Sequence, residues 1–139
     1  MNFAKKLRLA AILAFAAFSF AALAQMGRNR LYNPATETTV TGAITQVNTV
    51  TGRGGWNGIH LTVQSEDKKW DVRVGPAAYM AKHDIYFHVG DHIQVLGSKV
   101  EYQGADALIA REITRDGKVV RLRDAHGFPM WSHGRWNSQ

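Results

Sequence analysis

Pro76-Ala-Ala-Tyr-Met-Ala-Lys-His-Asp-Ile-Tyr-Phe-His-Val-Gly-Asp-His92 lies between two β-rich halves of the chain and decides how they can be joined. Ala77 to Lys82 has helix-forming composition, and a proline is admitted in the first turn of a helix. Only two turns fit before Asp84. Ile85, Phe87 and Val89 then alternate into Gly90-Asp91, a turn, and Ile93, Val95 and Gly97 open a new strand. The stretch predicts a short helix and a strand start, with His83, His88 and His92 divided between them.

Upstream, Val40, Gly42 and Ile44 alternate with Thr39, Thr41 and Ala43, whereas Val47 and Val50 fall out of phase. A glycine inside a strand and a change of phase predict a bulge or sharp coil. Ile59, Leu61 and Val63 alternate with His60, Thr62 and Gln64; after Glu66-Asp67-Lys68, Trp70, Val72 and Val74 repeat the pattern against Asp71 and Arg73. These two runs predict a hairpin with one buried and one wet face. The glycine-rich segment Thr51 to Gly58 lacks the features of a phosphate loop: Asn57 stands where Gly-x-Gly-x-x-Gly needs glycine, and a strand follows instead of a helix. It reads as a mobile hairpin loop that carries Trp56.

Downstream, Tyr102-Gln103-Gly104 turns the chain into a fifth strand whose inward set is either Ala107, Ile109, Arg111 and Ile113 or Leu108, Ala110 and Glu112. Asp116-Gly117 is a two-residue hairpin signal, so Val119 to Leu122 is expected to return as a sixth strand. Phe128, Met130 and Trp131 in the tail would be costly to leave in water, and the tail is expected to fold back at least as far as Trp131.

Three strands, a short helix and two strands is the order of the five-stranded OB barrel, an all-β fold in which the helix plugs one end. Val89-Gly90-Asp91-His92-Ile93-Gln94-Val95-Leu96-Gly97-Ser98 and Val40-Thr41-Gly42-Ala43-Ile44 resemble the glycine-aspartate turn with its strand, and the first strand, of small exported bacterial OB-fold proteins. The resemblance spans about Thr38 to Arg115. The glycine-rich loop, the extra strand and the aromatic tail depart from it. It implies a periplasmic binding or stress-related domain without enzymatic activity.

Lys5, Lys6 and Arg8, the uncharged apolar run Leu9 to Ala22 and the small-x-small site Ala22-Leu23-Ala24 together read as a cleavable signal peptide over residues 1–24. Export to the periplasm or beyond is expected, with no membrane anchor after cleavage. The expected mature chain keeps 14 basic residues against 11 acidic ones, a formal charge of +3 where the whole sequence has +6. Much of the basicity is thus a targeting feature, which weakens the case for a polyanion partner. With no cysteine, disulfides, thiolate metal sites and a cysteine nucleophile are excluded. The expected organisation is a flexible N-terminal arm over 25–37, the barrel over 38–122 and an aromatic tail over 123–139, in a soluble monomer or weak oligomer.

OB barrels bind oligonucleotides or oligosaccharides on strands two and three and the neighbouring loops. The corresponding candidates are Arg53, Trp56, His60, Thr62 and Arg73. With no aromatic on the wet face of either strand, nucleic acid is the weaker choice beside an oligosaccharide, another oligomeric polar ligand or an exported protein. The alternative is copper, for which imidazole and thioether ligands suit the two oxidation states. Its candidates are Met80, His83, His88 and His92 around the helix and His126, Met130 and His133 in the tail. Ser65, Ser98, Ser132 and Ser138 lie in no nucleophile-elbow pattern, and the acidic residues fall in turns, so no enzyme is expected and no cofactor is required.

Overall fold

The computed structural model describes residues 31–132, apart from Gln103 and the side chain of Arg53. The expected signal peptide, Gln25 to Arg30 and the tail from His133 lie outside the described residues. Strands β1 (Glu37–Thr51), β2 (Asn57–Ser65) and β3 (Lys68–Pro76) lead into helix α1 (Ala77–Lys82). Strands β4 (His92–Tyr102), β5 (Ala105–Arg115) and β6 (Lys118–Arg121) follow. The strand order is β3-β2-β1-β4-β5-β6, and β5 also returns to β3 through the parallel pairs Asp71 with Ala107, Val72 with Leu108 and Arg73 with Ile109. That last pairing closes five strands into an OB-type barrel and leaves β6 outside it.

Strand alternation fills the barrel. Val40, Ile44, Leu61, Val63, Val72, Val74, Ile93, Val95, Leu108 and Ile113 form its core, and Tyr79 and Met80 of α1 are buried against the same cluster. The short helix is thus a plug, as its apolar pair requires. Asp116 and Gly117 both have positive φ, 51° and 76°, which is the conformation a two-residue primed turn needs between β5 and β6.

Two bulges explain the phase changes in the sequence. The β1–β2 register shifts between Ile44 and Gln46, and beyond it Val47 and Val50 are exposed. On the other side of the barrel, Leu96 pairs with Glu112 but Gly97 pairs with Ala110, so Arg111 is the extra residue of β5. Leu108 and Ala110 point into the core before this bulge and Ile113 after it. Neither single phase expected for β5 holds along the whole strand. Ala107 and Ile109 are also buried, each at 2% exposure, because both faces of that half of β5 are covered.

Within the span 25–37 expected as a flexible arm, the described residues Tyr32 to Glu37 are built into the fold. Tyr32 is buried, the Asn33 amide donates to Ser98 Oγ at 3.0 Å, and the Thr36 hydroxyl lies 2.9 Å from the same oxygen. Ser98 is completely buried, so its hydroxyl needs these partners. The Tyr32 hydroxyl donates to Glu37 Oε1 at 2.7 Å, and Arg111 donates to the same carboxylate at 3.0 Å. Burial first, and then the Glu37 carboxylate, push the Tyr32 phenol well above its ordinary pKa.

The C-terminal segment folds back as well. Met130 N donates to Leu122 O, and Arg123 bridges to Pro129. Trp131 stacks at a tilt on Tyr79, with ring centroids 5.4 Å apart, and lies over Gly75, where an added Cβ would come within 2.8 Å of the indole. Arg123 is held between the rings of Trp131 and Tyr32, at 5.1 and 5.9 Å. Desolvation there pulls its guanidinium down to about 10.

Close strand crossings make specific demands. A Cβ on Gly97 would run into the carbonyl oxygen of Ile109, and one on Gly42 into that of Gln64. Gly97→Ala is expected to lower stability by about 1–3 kcal/mol, the usual cost of overpacking, as read from urea unfolding. Trp131→Ala removes a half-buried ring and should lower it by roughly 2 kcal/mol, below the range for fully buried tryptophans. Unchanged unfolding midpoints would contradict the packing described.

Candidate ligand-binding face

The outward face of β2 and β3 is set by the inward one. Because Leu61, Val63, Val72 and Val74 fill the barrel, His60 and Thr62 of β2 and Asp71 and Arg73 of β3 point the other way. Cross-strand register places His60 opposite Arg73 and Thr62 opposite Asp71. Asp71 lies between His60 and Arg73: His60 Nδ1 is 3.4 Å from one carboxylate oxygen, and Arg73 Nε is 3.8 Å from the other. The second distance is that of an ion pair without a hydrogen bond. His60, and after it Arg73, hold the Asp71 carboxyl below its usual range against the opposing effect of burial.

Aromatic rings stand at two loops around this polar stripe. In the β1–β2 loop, Gly52 N donates to Trp56 O at 2.8 Å, and Gly54 and Gly55 both take φ of 77°, a conformation side chains resist. The segment is a tight 3₁₀ turn from Arg53 to Gly55 that leads directly into β2, and the Trp56 indole lies beside Gly52 and Gly58 with 55% of its surface exposed. At the β4–β5 turn, Tyr102 is 48% exposed and its ring lies 4.3 Å under the Arg73 guanidinium. The wet face expected to lack aromatics therefore borrows one from another part of the chain. Tyr102 is the residue missed by sequence reasoning, although the Tyr-Gln-Gly turn that holds it was legible.

Of the predicted ligand-binding residues, the structure brings together His60, Thr62 and Arg73 and sets Trp56 on the adjoining loop. The Arg53 side chain lies outside what is described.

The predicted metal ligands that are described occupy separate settings. Met80 is buried in the core, His83 stacks on Tyr79 at 4.3 Å, and His92 is at the exposed start of β4. His88 serves the Asp91 turn: its amide donates to Asp91 Oδ2 at 2.9 Å, and Arg115 donates to the same atom at 2.9 Å. The amide of His126 donates to Asp124 in the tail, where Met130 is partly exposed, and His133 lies outside the described residues. Among the described residues no three His, Asp or Glu side chains are grouped closely enough to hold a metal ion. An open depression lined by Thr36, Glu37, Thr38, Lys99, Val100, Glu101 and Asp106 lies apart from the β2–β3 stripe, and its Glu37 and Asp106 are already paired with Arg111 and Lys68.

With strand order, plug helix and outward face in hand, comparison with known proteins places the chain. A model of the MamS/MamX magnetosome protein family matches residues 36–120. The chain belongs to that family. The match runs from just before β1 into β6 and so takes in the barrel and the whole polar stripe. Among solved structures, one similar chain is the mitochondrial single-stranded DNA-binding protein Rim1 of S. cerevisiae, at 10% identity and a TM-score of 0.45, over 65% of this chain and 96% of that one. No curated protein matches. No helix among the described residues is long and apolar enough to cross a membrane.

The electrostatics of the stripe have a measurable consequence. Because the folded Asp71 pKa is depressed, its contribution to stability is complete above the unfolded value, about 3.9, and is lost as pH falls through the lower folded value. Asp71→Asn should therefore unfold with a shallower acid dependence between about pH 5 and 2 than the unsubstituted protein. Urea midpoints across that range test this, and parallel curves would mean that the carboxylate has no such coupling.

Proposed function

We propose that this member of the magnetosome family is an exported, non-enzymatic binding module that takes an oligomeric polar ligand across β2 and β3, an oligosaccharide in preference to nucleic acid. The observation that carries this reading is the pairing of Arg73. Arg73 is the cation that lies between the Trp56 and Tyr102 loops, and it is both ion-paired with Asp71 and stacked on Tyr102, while Lys69 stands farther along the same face opposite Gln64. A groove for single strands needs unspent positive charge to follow phosphates as well as exposed rings. Here the described rings are present, but the charge between them is balanced, and His60, Thr62 and Asp71 supply donors and acceptors suited to hydroxyl groups. The basic n-region and apolar run at the start of the chain support export, and the lack of any nucleophile pattern supports a role without catalysis.

Binding would use Trp56 and Tyr102 as platforms and the stripe as the polar floor, in the manner of OB barrels, whose ligands lie on this face and its loops. Calorimetric titration with neutral oligosaccharides and with oligothymidylate tests the assignment. Trp56→Ala and Tyr102→Ala are each expected to weaken saccharide binding by about tenfold, since loss of one stacking platform costs about 1–3 kcal/mol for a nucleic-acid base. Tight oligothymidylate binding with a steep salt dependence would replace the saccharide by nucleic acid. Affinities untouched by both substitutions would remove the face itself.

A further inference from the structure

The two ends of the six-stranded sheet and the extension of β1 treat their edges differently. Strand β1 pairs with β4 only from Glu37 to Ala43, and Ile44 makes the last contacts on that side, with Gly90 and Asp91. On its other side it stays paired with β2 as far as Thr51. From Thr45 to Thr51 the strand therefore has one bonded edge and, among the described residues, one edge without backbone partners. All seven residues are exposed. Between Glu37 and Arg53 the sequence holds no charged residue and no proline.

That combination is what monomeric sheets avoid. Long exposed edges are normally blunted by lysine, proline, a bulge or inward charge, because their unpaired amides and carbonyls template another strand. Strand β6 shows such blunting: it is four residues long and begins and ends with Lys118 and Arg121. The Thr45–Thr51 edge is longer, rich in β-branched residues and neutral, and its bulge sits at its first residue, Thr45, which leaves Gln46 to Thr51 in regular register. A strand of seven residues offers roughly 24 Å of edge, at about 3.4 Å per residue.

We infer that this edge pairs with the same edge of a second copy, antiparallel and about a two-fold axis near Asn48. An antiparallel edge is complementary to itself, so a two-fold pairing satisfies both copies with one set of contacts. The facing residues would be Thr, Gln, Val and Asn, so a chain with a net charge of +3 after the expected cleavage meets its copy without like charges directly opposed across the seam. The joined sheet would run from β3 of one copy to β3 of the other, with both Trp56 loops beside the seam. The pairing does not depend on which ligand the outward face takes.

The protein, expressed from its full sequence and purified, should sediment at twice the chain mass over a wide range of micromolar concentrations. Asn48→Lys with Val50→Lys should return it to the monomer with an unchanged circular dichroism spectrum, whereas Val119→Lys on β6 should leave the dimer intact. Because the chain has no cysteine, Asn48→Cys provides a check that does not depend on weakening the edge. Across a two-fold near Asn48 the two thiols would be within disulfide reach, and mild oxidation should give a covalent dimer that Val119→Cys does not. A monomer at every concentration, or a dimer sensitive to β6 and indifferent to Asn48, would overturn the inference.

Discussion

Closure of the barrel depends on a short parallel contact between β3 and β5, at Asp71 to Arg73 and Ala107 to Ile109. Without it the five strands would form an open sheet with two long edges and a half-exposed apolar face. The contact is possible because the strands bend sharply enough to bring the last one round to the third. Bulges at Thr45 and Arg111 and the close crossings at Gly42 and Gly97 supply that bending. The core, the plug helix and the outward stripe all take their positions from this closure.

A second layer lies over the outside of the barrel. Tyr32 to Thr36 comes down on Ser98, Glu37 gathers Tyr32 and Arg111, and Trp131 with Arg123 covers the end near Gly75 and Tyr79. Here polar side chains are buried with partners brought from far along the chain, and such groups fix a segment because leaving them unpaired is costly. The layer reaches β3 at Gly75, under Trp131, and leaves His60, Asp71 and Arg73 partly exposed. It also explains why a strand such as β5, with apolar residues at both parities, is stable in a barrel of this size.

The candidate face joins the two levels. His60, Asp71 and Arg73 are neighbours because of strand register, which local alternation nearly dictates once the hairpin is recognised. Tyr102 reaches Arg73 only because β4 and β5 wrap round to close against β3. A basic residue that counts as free charge in the sequence is thereby spent in two interactions. The proposal of a neutral polar ligand over a polyanion rests on that difference.

By itself the sequence determined the β-rich character, the helix between Pro76 and Asp84, the hairpin turns and the outward set on β2 and β3. These follow from alternation, from glycine at turns and from helix-forming residues, all of which act over a few neighbours. The ordering of Tyr32 to Thr36, the double burial of β5, the spent charge of Arg73 and the arrival of Tyr102 were decided only in three dimensions. So was the setting of the histidines: among the described residues no three His, Asp or Glu side chains gather closely enough to hold a metal ion. Each of these depends on contacts between residues tens of positions apart, and local periodicity carries no information about which distant partners closure will bring together.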